Sequence, residues 1–448
     1  MRHVIIGNSA AGVSAALAIR RLRPEDEIII ISPEPQPYYS RVLLSHFIAR
    51  TVKYRDLILA EDGFYRLHGF TRMFGSPVVA IESGETRVVL ESGTTVEYDR
   101  LLIAAGSSSK KPSFPVEGLT GVFTLRSLDD ALEIKDWVQP GQKAVIMGAG
   151  MVGLKTAEAL VHRGLEVTVV ASSDRVFSQV LDPGPAALVR KGLEARGVTV
   201  ITGQDVLTAT GRGAVEGVLL NSGTELPCNV LIAGKGVDPN SGPAAEAGIA
   251  TGRGIIVDDR MATNIEGVYA AGDVAEAYDL AWRKRRVNAL WPLAVEQGAV
   301  AGANMAGGSV EYSGGMAMNS FHWDDIAVIT LGISVPRGEA YRSLETPNTR
   351  RGVYRQLVLE GDRLVGAALV GDTRGAGILR ALIANGGDVS GLAEGFISGR
   401  LEYGRVGLAS FIAAPSAQFV VRRSVEVQDP KQLSIEILES GGGPHVRP

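Results

Sequence analysis

Cysteine is almost missing from this chain: Cys228 is the only one in 448 residues. That scarcity excludes an internal disulfide and any metal or iron–sulfur site built from cysteines. Histidine is sparse as well, six in all with no pair at ligand spacing, so no protein-bound metal is expected. Long hydrophobic runs are also absent; no apolar stretch approaches the roughly 18 residues that a membrane-spanning helix needs. Net charge is small, −4 at pH 7, which gives no bulk reason to expect nucleic acid or a membrane surface as partner. The opening "MRHVIIG" enters an apolar strand at once, so we expect no signal peptide and a cytoplasmic protein.

Glycine, by contrast, is abundant, with 55 residues, many of them at the ends of apolar strands. That pattern, with 45% hydrophobic residues, suits an α/β chain of two or three domains with buried cores. In "VIIGNSAAG", Gly7, Ser9 and Gly12 keep the spacing of a dinucleotide turn, with serine at the middle position. Gly7 permits the tight turn, Gly12 lets the helix pack on the strand, and free N–H groups at Ala10 and Ala11 suit a pyrophosphate. A strand–helix turn without a ligand is the plainer alternative for a lone motif. The returning strand "EIIIIS" leads to Glu34, the candidate acid for a ribose hydroxyl, with Ser32 as a second option. The chain then repeats the device. "VIMGAGMVG" carries Gly148, Gly150 and Gly153 in full G-x-G-x-x-G spacing, with Met151 and Val152 opening its helix. Each turn is followed by an apolar strand ending in glycine, "YDRLLIAAG" and "CNVLIAGKG", an internal duplication at domain scale.

From about Ser320 the texture changes. "RQLVLEGDRLVGAALVGD" alternates as a hairpin turning at Gly361 and Asp362, "GAGILRALIANGG" reads as a helix with a glycine stop, and "ESGGGPHVRP" as a loose tail.

The order of the first glycine turn, "PYYSRVLLS", "YDRLLIAAG", "TLRSLDDA", the second turn, "GKGVDPN" and "GVYAAGD" resembles the two-dinucleotide flavoprotein reductases. These are the pyridine nucleotide-disulfide reductase superfamily. Among its members without the redox disulfide, the chain looks most like NADH:rubredoxin oxidoreductase and the flavin half of NADH-dependent nitrite reductase. The likeness covers residues 1–310 well and the remainder loosely. It implies two Rossmann-like domains, one inserted in the other, plus a C-terminal α+β domain. The implied division is 1–114 and 242–315 for FAD, 115–241 for NAD(H) or NADP(H), and 316–448 for the C-terminal part.

The same resemblance assigns residues. Gly272 and Asp273 match the Gly-Asp pair that holds flavin ribitol and phosphate; an ordinary turn with Asp as N-cap is the alternative. Arg41 matches an arginine at the flavin diphosphate. Arg126 matches another on the FAD side, or is a surface ion-pair residue. Val79, Ala105 and Gly106 match backbone positions near that cofactor, and Gly234, in "GKGVDPN", is a further cofactor-binding candidate. Trp291 and Trp323 match aromatic positions near the flavin, or pack in a core.

Two positions depart from the family. The strand "EVTVVASSDR" ends on Ala171, Ser172 and Ser173 where an acid is usual for NADH; serines beside Arg175 suit a 2′-phosphate, or the loop selects neither cofactor. Lys155, the candidate catalytic residue, stands where related reductases carry glutamate near the nicotinamide; it pairs with an acid of the neighbouring domain, marks a site that binds the nucleotide differently, or extends to solvent. Relatives with thiol chemistry keep a cysteine near "RVLLSHFIA", where Ser45 and His46 stand here, and Cys228 reads as a buried small hydrophobe. Disulfide reduction is therefore excluded, and electrons must pass from flavin to an external acceptor. The implied activity is that of an FAD-dependent NAD(P)H:acceptor reductase feeding a ferredoxin- or rubredoxin-like protein, or of a flavin subunit in a larger iron–sulfur complex. The basic run "WRKRR" (282–286) is either a docking site for an acidic iron–sulfur partner or a solvated loop or helix start.

Overall fold

The computed structural model describes residues 1–348, 352–386 and 393–397, all within one compact unit, Met1–Leu401. Two five-stranded parallel sheets share the arrangement of four strands and differ in the fifth, an edge strand that comes last in the chain in the first sheet and first in the second. In the first, the order is Val268–Ala270, Arg100–Ile103, Arg2–Ile6, Glu27–Ser32 and Phe70–Phe74. In the second it is Val122–Phe123, Val230–Ala233, Lys143–Met147, Glu166–Ala171 and Thr199–Thr202. Strands such as Ile28–Ile31 are apolar without alternation because helices cover both faces of a parallel sheet. Each parallel sheet is accompanied by a three-stranded antiparallel meander, Val78–Glu82 to Thr95–Glu97 and Val206–Thr210 to Glu225–Pro227.

The helix Ala10–Leu22 follows from its apolar face, Ala11, Ala15, Ala16 and Ile19, all buried. It ends at Arg23, before Pro24, with Arg20 and Arg21 in the last turn, where positive charge suits the helix dipole. It lies on the helix Trp291–Met305 with almost no side chain between them. A Cβ on Gly298 would fall 2.2 Å from the Ala11 carbonyl oxygen, and one on Gly302 2.4 Å from that of Ala15.

The third layer is an antiparallel sheet ordered Met318–Trp323, Ile326–Gly332, Arg363–Val370, Val353–Glu360, Tyr341–Asn348. Its hairpin turns at Gly361 and Asp362, with Glu360 opposite Arg363. Phe321, Trp323, Val328 and Val370 of this sheet share a core with the second parallel sheet, while Leu357, Leu359 and Leu369 pack under the helix Ala376–Ala384. The segment Tyr39–Leu57, early in the chain, also sends Leu44, Phe47 and Ile48 into the core of the second parallel sheet. Trp323 is thus a packing residue, 3% exposed, and not a flavin-side aromatic. The tail "ESGGGPHVRP" lies outside the described residues.

His3, on the first strand, is fully buried with its Nε2 at 2.9 Å from the Asp26 carboxylate, which also pairs with the N-terminal amine. Burial holds the imidazole pKa below its usual 6.5 although Asp26 pulls the other way. The unfolded chain therefore binds the proton first, and stability falls as pH drops below about 6.5. We expect the decline in melting temperature between about pH 7 and about pH 5 to flatten in His3→Gln; an unchanged slope would remove His3 as its source.

Candidate functional site

Both glycine turns open on one cleft of about 920 Å³. That volume lies at the upper end of the range for small-molecule sites, as an extended ligand requires. The first turn contributes Gly7, Ser9, Ala10 and Ala11, and the second contributes Met151, Val152 and Lys155, with Gly234 beside them. The two turns are close geometric copies. A Cβ on Gly7 would meet the Ala104 carbonyl oxygen at 2.2 Å and one on Gly12 the Gly7 oxygen at 1.9 Å; at Gly148 and Gly153 the distances are 2.4 Å, to Gly234, and 2.1 Å, to Gly148. Only glycine permits strand, turn and helix to approach so closely.

Neither helix is capped. Ser9 and Gly150 make no capping hydrogen bond, and neither first turn holds an acid. Their first helical bonds are Val13 N–H to Ser9 and Leu154 N–H to Gly150, both 2.9 Å. The N–H groups of Ala10, Ala11, Met151 and Val152 therefore have no protein acceptor among the described residues, and the positive end of each helix dipole is left for an anion.

Charged side chains close a ring around the first turn. Glu34 accepts from Arg41 on one carboxylate oxygen and from the Tyr39 hydroxyl at 2.5 Å on the other. Arg41 also donates to the Arg126 carbonyl oxygen at 2.8 Å. Burial opposes its charge, but Tyr39 and Glu34 outweigh that and raise its pKa. Arg126 in turn donates to Asp273 at 2.5 Å and to the Ser107 carbonyl oxygen at 3.1 Å. The Ser107 hydroxyl donates to the same Asp273 oxygen at 3.1 Å. Asp273 therefore does not cap a helix; it sits in a short turn, Gly272–Val274, and its second oxygen accepts no bond among the described residues. Arg126 is not a surface ion-pair residue, since the cleft holds both members of its pair. A diphosphate carrying hydroxyl groups fits this set: free N–H donors, two guanidinium groups and carboxylate oxygens with unused lone pairs.

The structure brings most of the sequence-derived positions to the cleft, among them Ser32, Glu34, Arg41, Ala105, Gly106, Arg126, Gly272, Asp273 and Trp291. Trp291 opens its helix and stacks on Tyr38, ring centroids 5.7 Å apart at 9°. Gly12, Gly148, Gly150 and Gly153 are not on its surface; three of the four stand behind it, holding helix to strand or turn. Val79 also falls away. It occupies the irregularity between Val78 and Ala80, is 46% exposed, and leaves Val78 to line the cleft. Ser172 is exposed and outside the lining. Lys155 does line the cleft, but its ammonium is engaged by Glu158 on its own helix at 2.7 Å and by the His322 carbonyl oxygen at 2.5 Å, 5.0 Å from the Phe321 ring. It neither extends to solvent nor pairs with an acid of another lobe. Tyr39 and Ser107 escaped the sequence reading. Tyr39 had a local signal in its place between Glu34 and Arg41, whereas Ser107 had none.

"WRKRR" forms the hairpin strand Lys284–Arg286, outside the cleft, with Arg286 4.3 Å and Lys284 5.3 Å from the ring of Trp282. The described residues contain no cluster of three metal-ligating side chains and no helix long and apolar enough to cross a membrane.

The family of pyridine nucleotide-disulphide oxidoreductases matches residues 1–298. The chain belongs to that family. The C-terminal domain of rubredoxin NAD+ reductase matches residues 318–387. The assimilatory nitrate reductase electron transfer subunit of Bacillus subtilis is 31% identical over 83% of the chain, which spans about half (48%) of that relative's length. The epsilon subunit of NADH-dependent phenylglyoxylate dehydrogenase of Aromatoleum evansii is 30% identical over 90% of the chain and 96% of its own. Among solved structures, the NAD-dependent persulfide reductase of A. fulgidus superposes with a TM-score of 0.80 at 28% identity, covering 87% of this chain and 78% of its own. NADH:rubredoxin oxidoreductase from Clostridium acetobutylicum gives 0.72 at 26%, covering 88% and 97%. This member of the family holds no redox pair of cysteines. Cys228 is buried and its thiol is pushed up to about 12 by burial, so it is neither a thiolate nor within the cleft. Ser45 lines the cleft instead.

A methyl group at Gly12 has no room. We expect Gly12→Ala to lose about 1–3 kcal/mol of stability and most of its bound flavin, read by thermal unfolding and by visible absorbance of the purified protein. Full flavin content in that variant would contradict the cradle.

Proposed function

We propose that the chain is an FAD-dependent NAD(P)H:acceptor oxidoreductase that passes electrons to an external iron–sulfur protein of ferredoxin or rubredoxin type, without a disulfide step. One observation carries this reading: two uncapped glycine cradles open on a single cleft that contains no sulfur nucleophile. Bound there, FAD would accept a hydride and return its electrons singly, the conversion that an iron–sulfur acceptor needs.

The chain's own groups have definable tasks. Ala10 and Ala11 N–H, with Arg41, would hold the flavin diphosphate, and the free oxygen of Asp273 would accept a ribitol hydroxyl. Arg126 holds Asp273 in place by its hydrogen bond to one carboxylate oxygen. Met151 and Val152 N–H would hold the nicotinamide dinucleotide. Lys155 acts as a positioning residue, tying the second helix to the strand Met318–Trp323 that forms part of the cleft wall. A division into FAD-binding residues 1–114 and 242–315, NAD(P)-binding residues 115–241 and a C-terminal domain from 316 agrees with the two parallel sheets. The low net charge and the lack of disulfides support a cytoplasmic protein without a nucleic-acid partner.

A second reading is supported by the match, nearly end to end, with a dehydrogenase subunit. On it, the chain is a non-autonomous FAD/NAD(H) electron-transfer subunit of a larger iron–sulfur complex.

Anaerobic mixing of the purified chain with NADH and with NADPH tests both. We expect the oxidised-flavin absorbance to bleach with at least one of them, and a one-electron dye to turn over; bleaching without dye turnover favours the subunit, and no bleaching ends the stand-alone enzyme. Lys155→Gln should slow that bleaching on the order of tenfold by loosening the helix against its wall, with flavin content unchanged.

A further inference from the structure

The strand Glu166–Ala171 ends beside the second cradle, and the loop after it is fastened to the cradle itself: the Phe177 N–H donates to the Ala149 carbonyl oxygen at 2.9 Å. In this topology the end of that strand meets the adenine ribose of a bound dinucleotide, where a carboxylate favours NADH and a free cation favours the 2′-phosphate of NADPH. Ala171, Ser172 and Ser173 supply no carboxylate. Arg175 is the cation that the sequence offers for a phosphate.

The structure has already committed that cation. Its Nε donates to the Leu181 carbonyl oxygen at 2.9 Å, its Nη1 to Asp174 at 2.8 Å and its Nη2 to the Ser178 carbonyl oxygen at 3.4 Å. The Ser173 hydroxyl donates to the Arg175 carbonyl oxygen at 2.9 Å and closes the turn from the other side. Every bond made by the guanidinium serves the loop. A second cation, Lys235, follows Gly234 of the cradle, and it is held by both carboxylate oxygens of Asp205 at 2.6 and 2.8 Å. Asp205 stands next to this strand end, because the N–H groups of Gly203 and Gln204 donate to Ser173 and Ala171. Both cations are therefore neutralised within the fold, while Ser172 is exposed.

We propose that the second cradle binds NADH and NADPH with nearly equal affinity, and that Arg175 pins the loop and does not read the 2′-phosphate. The carboxylates at this strand end, Asp174 and Asp205, are held by Arg175 and Lys235, so the site gives up the usual gain for a free 2′-hydroxyl, and without an available cation it gains nothing from the phosphate. The proposal rests on the nicotinamide reading of the second cradle.

The test titrates the flavin-loaded protein with NAD⁺ and with NADP⁺ by calorimetry, so that binding is read without turnover. We expect dissociation constants within about tenfold of each other. In Arg175→Ala both should weaken by a similar factor, their ratio holding within about threefold, because the whole loop loosens. Ser172→Arg, which adds a cation with no internal partner, should tighten NADP⁺ alone by about tenfold or more. A native preference beyond tenfold in either direction, a selective loss of NADP⁺ in Arg175→Ala, or no selective gain in Ser172→Arg overturns the proposal. Binding of neither nucleotide to the native protein overturns the nicotinamide reading beneath it, an outcome distinct from a preference.

Discussion

The contact on which the cleft depends is the near-naked crossing of the helices Ala10–Leu22 and Trp291–Met305. Gly298 and Gly302 place their backbone against the carbonyl groups of Ala11 and Ala15, a separation that no side chain would allow. The reason it matters is topological. The first parallel sheet is built from chain segments on either side of a large insertion, since its edge strand Val268–Ala270 arrives long after Arg100–Ile103. The helix crossing, together with the Gly272 N–H donated to Gln297 at 2.8 Å, fixes the late segment in front of the early helix. Asp273 consequently faces the same space as the uncapped N–H groups of Ala10 and Ala11.

Charge in that space is balanced before any ligand enters. Arg41 is offset by Glu34, and Arg126 by Asp273. Within this ring the net attraction for an anion comes from the helix ends, worth tenths of a kilocalorie to about 2 kcal/mol each in partly buried geometry. The ion pairs mainly set direction. Ser107, Tyr39 and the Arg126 carbonyl hold the charged groups in one arrangement, so little side-chain entropy remains to be lost when a ligand binds.

The C-terminal sheet closes the cleft by adhering to the second nucleotide unit. Lys155 reaches His322, Arg196 pairs with Asp324 and Asp325, Gln356 donates to Asp182, and the Ser334 hydroxyl donates to Val180. Phe177 meets Phe321 edge-on, centroids 5.2 Å apart. This shared core and its polar rim explain why Met318, Asn319 and Ser320 stand in the cleft wall.

The two cradles, the hairpin at Gly361 and Asp362, and the exclusion of thiol chemistry were all legible in the sequence, because each depends on residues a few positions apart or on a simple count. Glycine spacing reports a turn, and alternation reports a half-buried hairpin, whatever surrounds them. The occupants of the cleft and the state of their charges were decided only in three dimensions. Arg126 finds Asp273 across 147 positions and Lys155 finds His322 across 167. One residue of irregularity replaced Val79 by Val78 at the wall, and the loop carbonyls that spend Arg175 are visible only once the loop is folded. Periodicity carries no record of such long-range pairings, since they depend on which faces meet and not on the pattern within either.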